Sequence, residues 1–253
     1  MKINELQTYL TKIFQPEKFN DYCPNGLQVE GKSEIHKIVT GVTASMALLE
    51  AARNAGADAI LVHHGYFWRG ENQAITGIKK RRIAFLLENE INLFAYHLPL
   101  DAHAEFGNNV MLGKALGLPI TGYLDDKNML PYAELKQPKT LQNLVKDIGV
   151  KLGRAPQVVS NQTGGEPNKS IKTIAWCTGA AQSYIEQAIG ANIDVYLSGE
   201  ISEQTVHSAR ESATSYIAAG HHVTERYGVQ ALGAHLAQKF DLAHEFIDID
   251  NPV

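Results

Sequence analysis

The stretch DAILVHHGYFW, residues 58–68, starts as a strand and ends as something else. Ala59 to Val62 form a short apolar run of the kind that parallel sheets bury on both faces. The run stops at two adjacent imidazoles, His63 and His64, followed by Gly65 and three aromatics. In open α/β sheets, ligands bind beyond the carboxyl ends of strands, so this terminus is the first place to look for chemistry. Successive strand residues face opposite sides, but Gly65 permits the chain to bend there. Two readings stay open at this point. The histidines serve metal ions, or they form a hydrogen-bonded pair in a core.

Outward from this stretch, strands and helices alternate. HKIVTGV (36–42) reads as a strand, SMALLEAARNAG (45–56) as a helix closed by Gly56, GIKKRRIAFLLENE (77–90) as a helix and INLFAYH (91–97) as a strand. Such alternation with short connections predicts an α/β architecture with covered sheets. The pattern returns in IKTIAWCTGAAQSYIEQAIGANIDVYLSGE (171–200). Residues 38–64 align with 174–200 without a gap, pairing Ile38 with Ile174, Glu50 with Glu186, Asp58 with Asp194 and Leu61 with Leu197. Duplication and independent convergence on one supersecondary pattern both explain this. If the unit is duplicated, His63 and His64 correspond to Gly199 and Glu200.

The segment 121–170 is polar and rich in turn residues. It holds the loop SNQTGGEPNKS (160–170) and one helix, TLQNLVKDIGVKLG (140–153). The chain closes on a single amphipathic helix over 221–240 and a strand over 244–250. That last strand can rejoin the first sheet, which predicts a discontinuous first domain, 1–122 with 218–253, and a second domain, 123–217.

Composition narrows the function classes. Lys and Arg number 23 against 27 Asp and Glu, a net charge of −4, so no cationic excess exists for a nucleic-acid backbone or an anionic membrane. Residues 1–19 place Leu6, Leu10 and Ile13 at helical spacing among polar residues, which predicts an amphipathic helix and not a signal peptide. No stretch approaches the roughly 20 apolar residues that span a bilayer. Two cysteines in unrelated contexts make neither a disulfide framework nor a CxxC motif. A cytoplasmic protein is the expectation.

Six of the ten histidines fall in three constellations: His63 with His64, His97 with His103, and His221 with His222. In YHLPLD (96–101), His97 and Asp101 are four apart, but Pro99 between them argues against a helical pair. A turning segment would still deliver a nitrogen and an oxygen ligand together; a proline-shaped surface loop is the other reading. In GHHVTER (220–226), His221 and Glu225 stand at i and i+4, on one face of a helix opening after Gly220. A capping histidine with a solvated glutamate is the alternative there. A mixed imidazole and carboxylate set suits first-row ions such as Fe, Mn, Zn, Ni or Co. Five ligands exceed one tetrahedral site, and two divalent ions sharing a carboxylate would use them all.

The motifs DYCPNGLQVEG, GVTAS, ADAILVHHGYFW, YHLPLDAH, SGEISEQTVHSARE and AAGHHVTERYG, in this order and spacing, resemble the Nif-three-like, GTP cyclohydrolase 1 type 2 homologue family, in its YbgI-type branch. The resemblance covers nearly the whole chain. It implies two similar three-layer α/β domains with mixed sheets, a dinuclear metal centre in the crevice between them, and a toroidal homohexamer. Matched residue by residue, it makes His63, His64, Asp101, His221 and Glu225 the metal ligands, with Glu225 bridging. His97 matches a histidine beside the centre, and His222, Glu200 and His207 match further motif positions.

The resemblance implies hydrolysis of a nucleotide-type small molecule by metal-activated water. The family name points to opening of the imidazole ring of GTP with release of formate. A nearby acid–base group must then carry a proton to the departing nitrogen, and His97, His207 and Glu200 are the catalytic candidates. The alternative is a non-enzymatic metal-binding or partner-binding regulatory protein. Five protein ligands on two metals leave coordination positions open, as catalytic sites do, which favours the enzyme.

Overall fold

A computed structural model describes residues 1–160 and 170–253. Nearly all of the expected loop 160–170 lies outside the described residues. The chain forms two compact units, Met1–Phe106 with Gly228–Asp250, and Gly107–Tyr227 with Asn251–Val253.

The first unit runs α1 (Ile3–Phe14), β1 (Gly26–Val29), β2 (Lys37–Thr43), α2 (Met46–Asn54), β3 (Ala59–His64), α3 (Gly77–Glu88), β4 (Asn92–Ala95) and α4 (Leu98–Ala102). The second holds α5 (Asn108–Leu116), β5 (Gly122–Tyr123), β6 (Pro131–Thr140), α6 (Leu141–Leu152), β7 (Gln157–Val159), β8 (Ser170–Trp176), α7 (Ile185–Gly190), β9 (Val195–Ser198), α8 (Glu203–Glu211), β10 (Ser215–Ala218) and α9 (His221–Thr224). The chain then returns to the first unit through α10 (Arg226–Phe240) and β11 (Ala243–Phe246).

The first sheet has the order β1-β4-β3-β2-β11, parallel except where β1 pairs antiparallel with β4. Both faces are covered because successive residues of its central strands send apolar side chains to each side. Ile38, Leu61 and Phe94 pack with α1 and α10 through Leu6, Leu10, Val229 and Leu232. Val39, Ile60, Val62 and Leu93 pack with α2 and α3 through Leu48, Leu49, Ile83 and Leu86. Three layers result, with β3 in the middle of the sheet and its end at His63 and His64. Ser45 starts α2 by accepting a hydrogen bond from Leu48 N (3.3 Å), and Gly56 takes the left-handed conformation (φ +74°) that carries the chain toward β3.

The second sheet is also mixed, in the order β5-β6-β8-β9-β10-β7, with β8, β9 and β10 parallel. Leu112, Leu116, Leu144, Ile148 and Leu152 of α5 and α6 cover one face over Ile174, Trp176, Leu197 and Ile217. The helix expected over 140–153 is α6, capped by Thr140 Oγ1 on Asn143 N (3.2 Å) and ended by Gly153 at φ 70°.

Three local expectations need correction. The segment 121–170 reads as polar and turn-rich with one helix, yet β6 is a ten-residue strand within it. Only its first half alternates between buried and exposed, and its register breaks between Glu134 and Lys139, around Pro138, which has no N–H to donate. The closing helix is two pieces, because α9 ends at Thr224 and Glu225 sits at φ −106°, ψ 5°. The Thr224 hydroxyl donates to the His221 carbonyl (2.8 Å), offering that carbonyl a side-chain partner in place of a continued helix. Finally, Asp101 does lie on a helix, with His97 as its N-cap: α4 holds Pro99 in its first turn, where a missing N–H costs nothing, and Asp101 N donates to His97 O (3.1 Å).

Candidate metal centre

In the first unit, the ends of β3 and β4 bring three imidazoles together. The rings of His63 and His64 have centroids 4.5 Å apart, and His97 lies 5.0 Å from His63 and 5.7 Å from His64. One ligand nitrogen from each lies within 4.8 Å of the others, a spacing that one metal ion can bridge. Asp101, on the buried side of α4, sets Oδ1 3.5 Å from His63 Nε2. Trp68 stands edge-on to His97 at 5.0 Å and 5.9 Å from His64.

The partners of these rings fix which nitrogen faces the group. His63 Nδ1 lies 3.0 Å from the Tyr96 carbonyl, which can only accept, so Nδ1 carries the proton and Nε2 the lone pair. His97 Nδ1 lies 2.6 Å from Asp21 Oδ1, with the same consequence. His64 Nδ1 is 3.2 Å from Thr43 Oγ1. Burial would push the Asp21 carboxyl up, but hydrogen bonds from His97 and Asn25 outweigh it and hold its pKa at about 2.

In the second unit, β9 and β10 lead to a smaller group. His221, the first residue of α9, directs Nδ1 to Glu200 Oε1 (2.7 Å) and Nε2 to Glu225 Oε2 (3.1 Å). Burial alone would lower the pKa of His221; the hydrogen bonds and charges of Glu225 and then Glu200 prevail and raise it to about 9. Glu200 is itself held, since its carbonyl accepts from the Tyr216 hydroxyl. Two glycines make the room. A Cβ at Gly179, which has φ +68°, would strike the Glu225 carboxylate, and one at Gly199 would come within 2.7 Å of His221 Cα.

The remaining candidates fall outside these groups. His103 packs against Phe106 and Phe14, and its Nδ1 accepts from Glu105 N and Phe106 N (3.2 Å each), a packing role. His222 is buried, with its backbone N–H on Val253 O. His207 is exposed on α8. The residue that sequence reasoning overlooks is Asp21. Nothing at its position signals a partner 76 residues away, and only the fold brings the two together.

The donor set fits divalent first-row ions. Three histidines present Nε2 while Nδ1 is spent on a carbonyl or a carboxylate, the arrangement by which proteins orient metal-ligating imidazoles. A mixed α/β chain carrying such groups defines a class of protein with candidate metal-binding sites.

The comparisons with known proteins agree. A family model described as Duf34/NIF3 (NGG1p interacting factor 3) matches residues 1–252. A relative from Pseudomonas aeruginosa, called a GTP cyclohydrolase 1 type 2 homolog, is 54% identical over 238 residues, covering 93% of this chain and 92% of its own. A relative of the same name from Escherichia coli K12 is 48% identical over 252 residues, covering both chains fully. Among solved structures, protein ybgI, of unknown function, is similar with a TM-score of 0.94 and 47% identity over the whole of both chains. A Thermus thermophilus protein follows at 0.89 and 34%, again over both chains. The chain belongs to the DUF34/NIF3 family. Among the described residues, no helix is long and apolar enough to cross a membrane.

Proposed function

We propose that the protein is a metal-dependent hydrolase of a nucleotide-type small molecule, with His63, His64, Asp101, His221 and Glu225 serving one dinuclear centre. The observation that carries the reading is the pinning of Nδ1 in His63 and His221, which sets Nε2 of each beside a carboxylate. Glu225 is the proposed bridging carboxylate. The names of the relatives support a nucleotide as the substrate class. A bound pair of divalent ions supplies Lewis acidity and a water acidified toward neutrality.

The chain's own residues divide the remaining work. His63 and His64 orient from the end of β3, and Asp101 and His97 from the turn after β4. His97, with Nε2 as its lone-pair nitrogen, is placed to accept a proton, and Glu200 holds one on His221 Nδ1. His207, exposed on α8, contributes no atom to these groups, so proton handling falls to His97 and Glu200. Trp68 stands edge-on against His97 at the side of the first group.

The test is turnover. Protein purified without added metal, identified by elemental analysis and reloaded with that ion, is assayed across a panel of nucleotides. Saturable, metal-dependent product formation is expected, with ring-opened GTP and formate as the first products to seek. Stoichiometric uptake without turnover of any panel member would contradict the hydrolase and leave a metal-binding regulatory protein. The assembly we propose is a homohexamer, for which light scattering would give six times the 27.8 kDa chain. A cytoplasmic location is consistent with two cysteines outside any disulfide.

A further inference from the structure

The segment DYCPN, residues 21–25, contributes no ligand to the proposed centre, yet it is bound to the centre's edge. Asp21 has a side chain only 4% exposed, and four donors converge on it. Oδ1 accepts from Tyr22 N (2.6 Å) and lies 2.6 Å from His97 Nδ1; Oδ2 accepts from Asn25 Nδ2 (2.8 Å) and Leu98 N (3.0 Å). Asn25 completes the clamp, its Oδ1 accepting from His97 N (2.7 Å). Behind them, Arg69 donates to the Asp21 carbonyl (2.6 Å) and ties this loop to the segment that follows β3.

We propose that Asp21 is a positioning residue: it fixes His97 with Nδ1 protonated and seats the first turn of α4, so that His97 Nε2 and the Asp101 carboxylate are presented together. The inference rests, for what is being presented, on the metal-centre reading above. Its geometry stands by itself. Leu98 N is one of the first-turn N–H groups that an α-helix leaves without an internal partner, and Asp21 satisfies it with a carboxylate. Asp101 follows three residues later and is hydrogen-bonded to His97 O, so any shift of residues 97–98 moves the carboxylate with them.

Only a carboxylate answers all four donors. Asparagine at this position keeps the size but must turn an NH2 toward one of the two pairs. If it faces Tyr22 N and His97 Nδ1, the imidazole alone can adapt, by moving its proton to Nε2 and accepting at Nδ1. That moves the lone pair away from the centre. If it faces Leu98 N and Asn25, the α4 turn loses its partner. Either way the presentation fails.

The experiment pairs a tautomer reading with a metal-binding reading. Magic-angle-spinning NMR of histidine-labelled, metal-free protein in alkaline buffer, with His97 assigned by comparison with His97→Gln, separates the two tautomers by their ring-nitrogen shifts. The wild type is expected to show His97 protonated at Nδ1. For Asp21→Asn, equilibrium dialysis with Mn2+ or Zn2+ is expected to show affinity weakened by about tenfold or more, with the Nδ1 signature lost where the new NH2 faces His97 and kept where it faces Leu98 N. Wild-type His97 protonated at Nε2 overturns the inference without any variant. So does a folded Asp21→Asn protein that keeps the wild-type affinity, whichever tautomer it shows. Should the wild type take up no metal while His97 shows the Nδ1 proton and Asp21→Asn loses it, the metal-centre reading falls and the Asp21–His97 relation stands.

Discussion

Asp58 and Asp194 make the same pair of backbone hydrogen bonds at equivalent places in the two units. Asp58 Oδ2 accepts from His36 N (2.9 Å) and Lys37 N (3.1 Å), and Asp194 Oδ2 from Lys172 N (2.9 Å) and Thr173 N (3.1 Å). The strand registers agree as well. Ile38 pairs with Ala59 and Val39 with Ile60 in the first sheet; Ile174 pairs with Val195 and Ala175 with Tyr196 in the second. Each member of the second set lies the same distance along the chain from its counterpart as Asp194 does from Asp58. The gapless alignment of 38–64 with 174–200 is therefore an alignment of backbones, with hydrogen bonds in register.

Because each aspartate anchors the start of a parallel strand pair, replacing it should loosen its own unit. Asp58→Ala and Asp194→Ala are each expected to cost about 2 kcal/mol, the loss of hydrogen bonds to a charged acceptor. Hydrogen exchange should rise in β2 and β3 for the first and in β8 and β9 for the second. Protection unchanged in both would contradict the shared role.

Asp58 also predicts a pH dependence. Burial raises its pKa, but the hydrogen bond from Lys32 and the two backbone N–H groups prevail and hold it below the ordinary carboxylate value. A depressed folded pKa contributes stability that is full above the unfolded value of about 3.9 and fades as pH falls through the folded one. In urea titrations, the gap between wild type and Asp58→Asn should be widest near neutrality and shrink below about pH 4. A gap independent of pH would remove the carboxylate from the explanation.

Gly199 occupies the position in the second repeat that His63 holds in the first, and the reason is steric. A Cβ there meets Gly179 O and His221 Cα at 2.7 Å, and both are backbone. Gly199→Ala should displace His221, costing about 1–3 kcal/mol as overpacking does and lowering metal affinity with it. Wild-type affinity in a folded Gly199→Ala protein would show that His221 does not depend on this floor.

The two tryptophans separate cleanly as reporters. Trp68 lies against His97 and His64, whereas Trp176 is fully buried in the second unit. Added Co2+ or Ni2+ should quench the Trp68 share of the emission, and Trp68→Phe should abolish the response. A quench surviving in Trp68→Phe would locate the ion elsewhere.

Neither thiol is expected to hold metal. Cys23 is buried beside Asp21, and burial and that charge push its pKa up to about 12; Cys177 is buried in the second unit. Cys23→Ser and Cys177→Ser should each retain the wild-type metal content. Loss of an equivalent from either would add a thiolate to the ligand set.

The strand ending on His63 and His64 was legible because apolar runs closed by ligand-type residues are rare within a buried sheet, and Leu6 and Leu10 of α1 were legible from periodicity alone. What escaped were features set by particular partners, most of them distant in sequence. β6 takes its extended form from pairing with β8 across Pro138, and Glu225 leaves the helix because Thr224 turns its hydroxyl back on His221. Pro99 misled in the other direction, since proline is excluded from helix interiors but welcome in a first turn. Asp21 is the clearest case: a loop carboxylate acquires meaning only when His97 folds against it.

The central claim is a pair of ions held by residues 63, 64, 101, 221 and 225. Elemental analysis of protein purified without added metal, alongside His63→Ala and Glu225→Ala, tests it most directly. The account predicts two divalent ions per wild-type chain and a sharp loss in both variants, which should remain soluble because their side chains stand at element ends. Two full equivalents retained in either variant would contradict it.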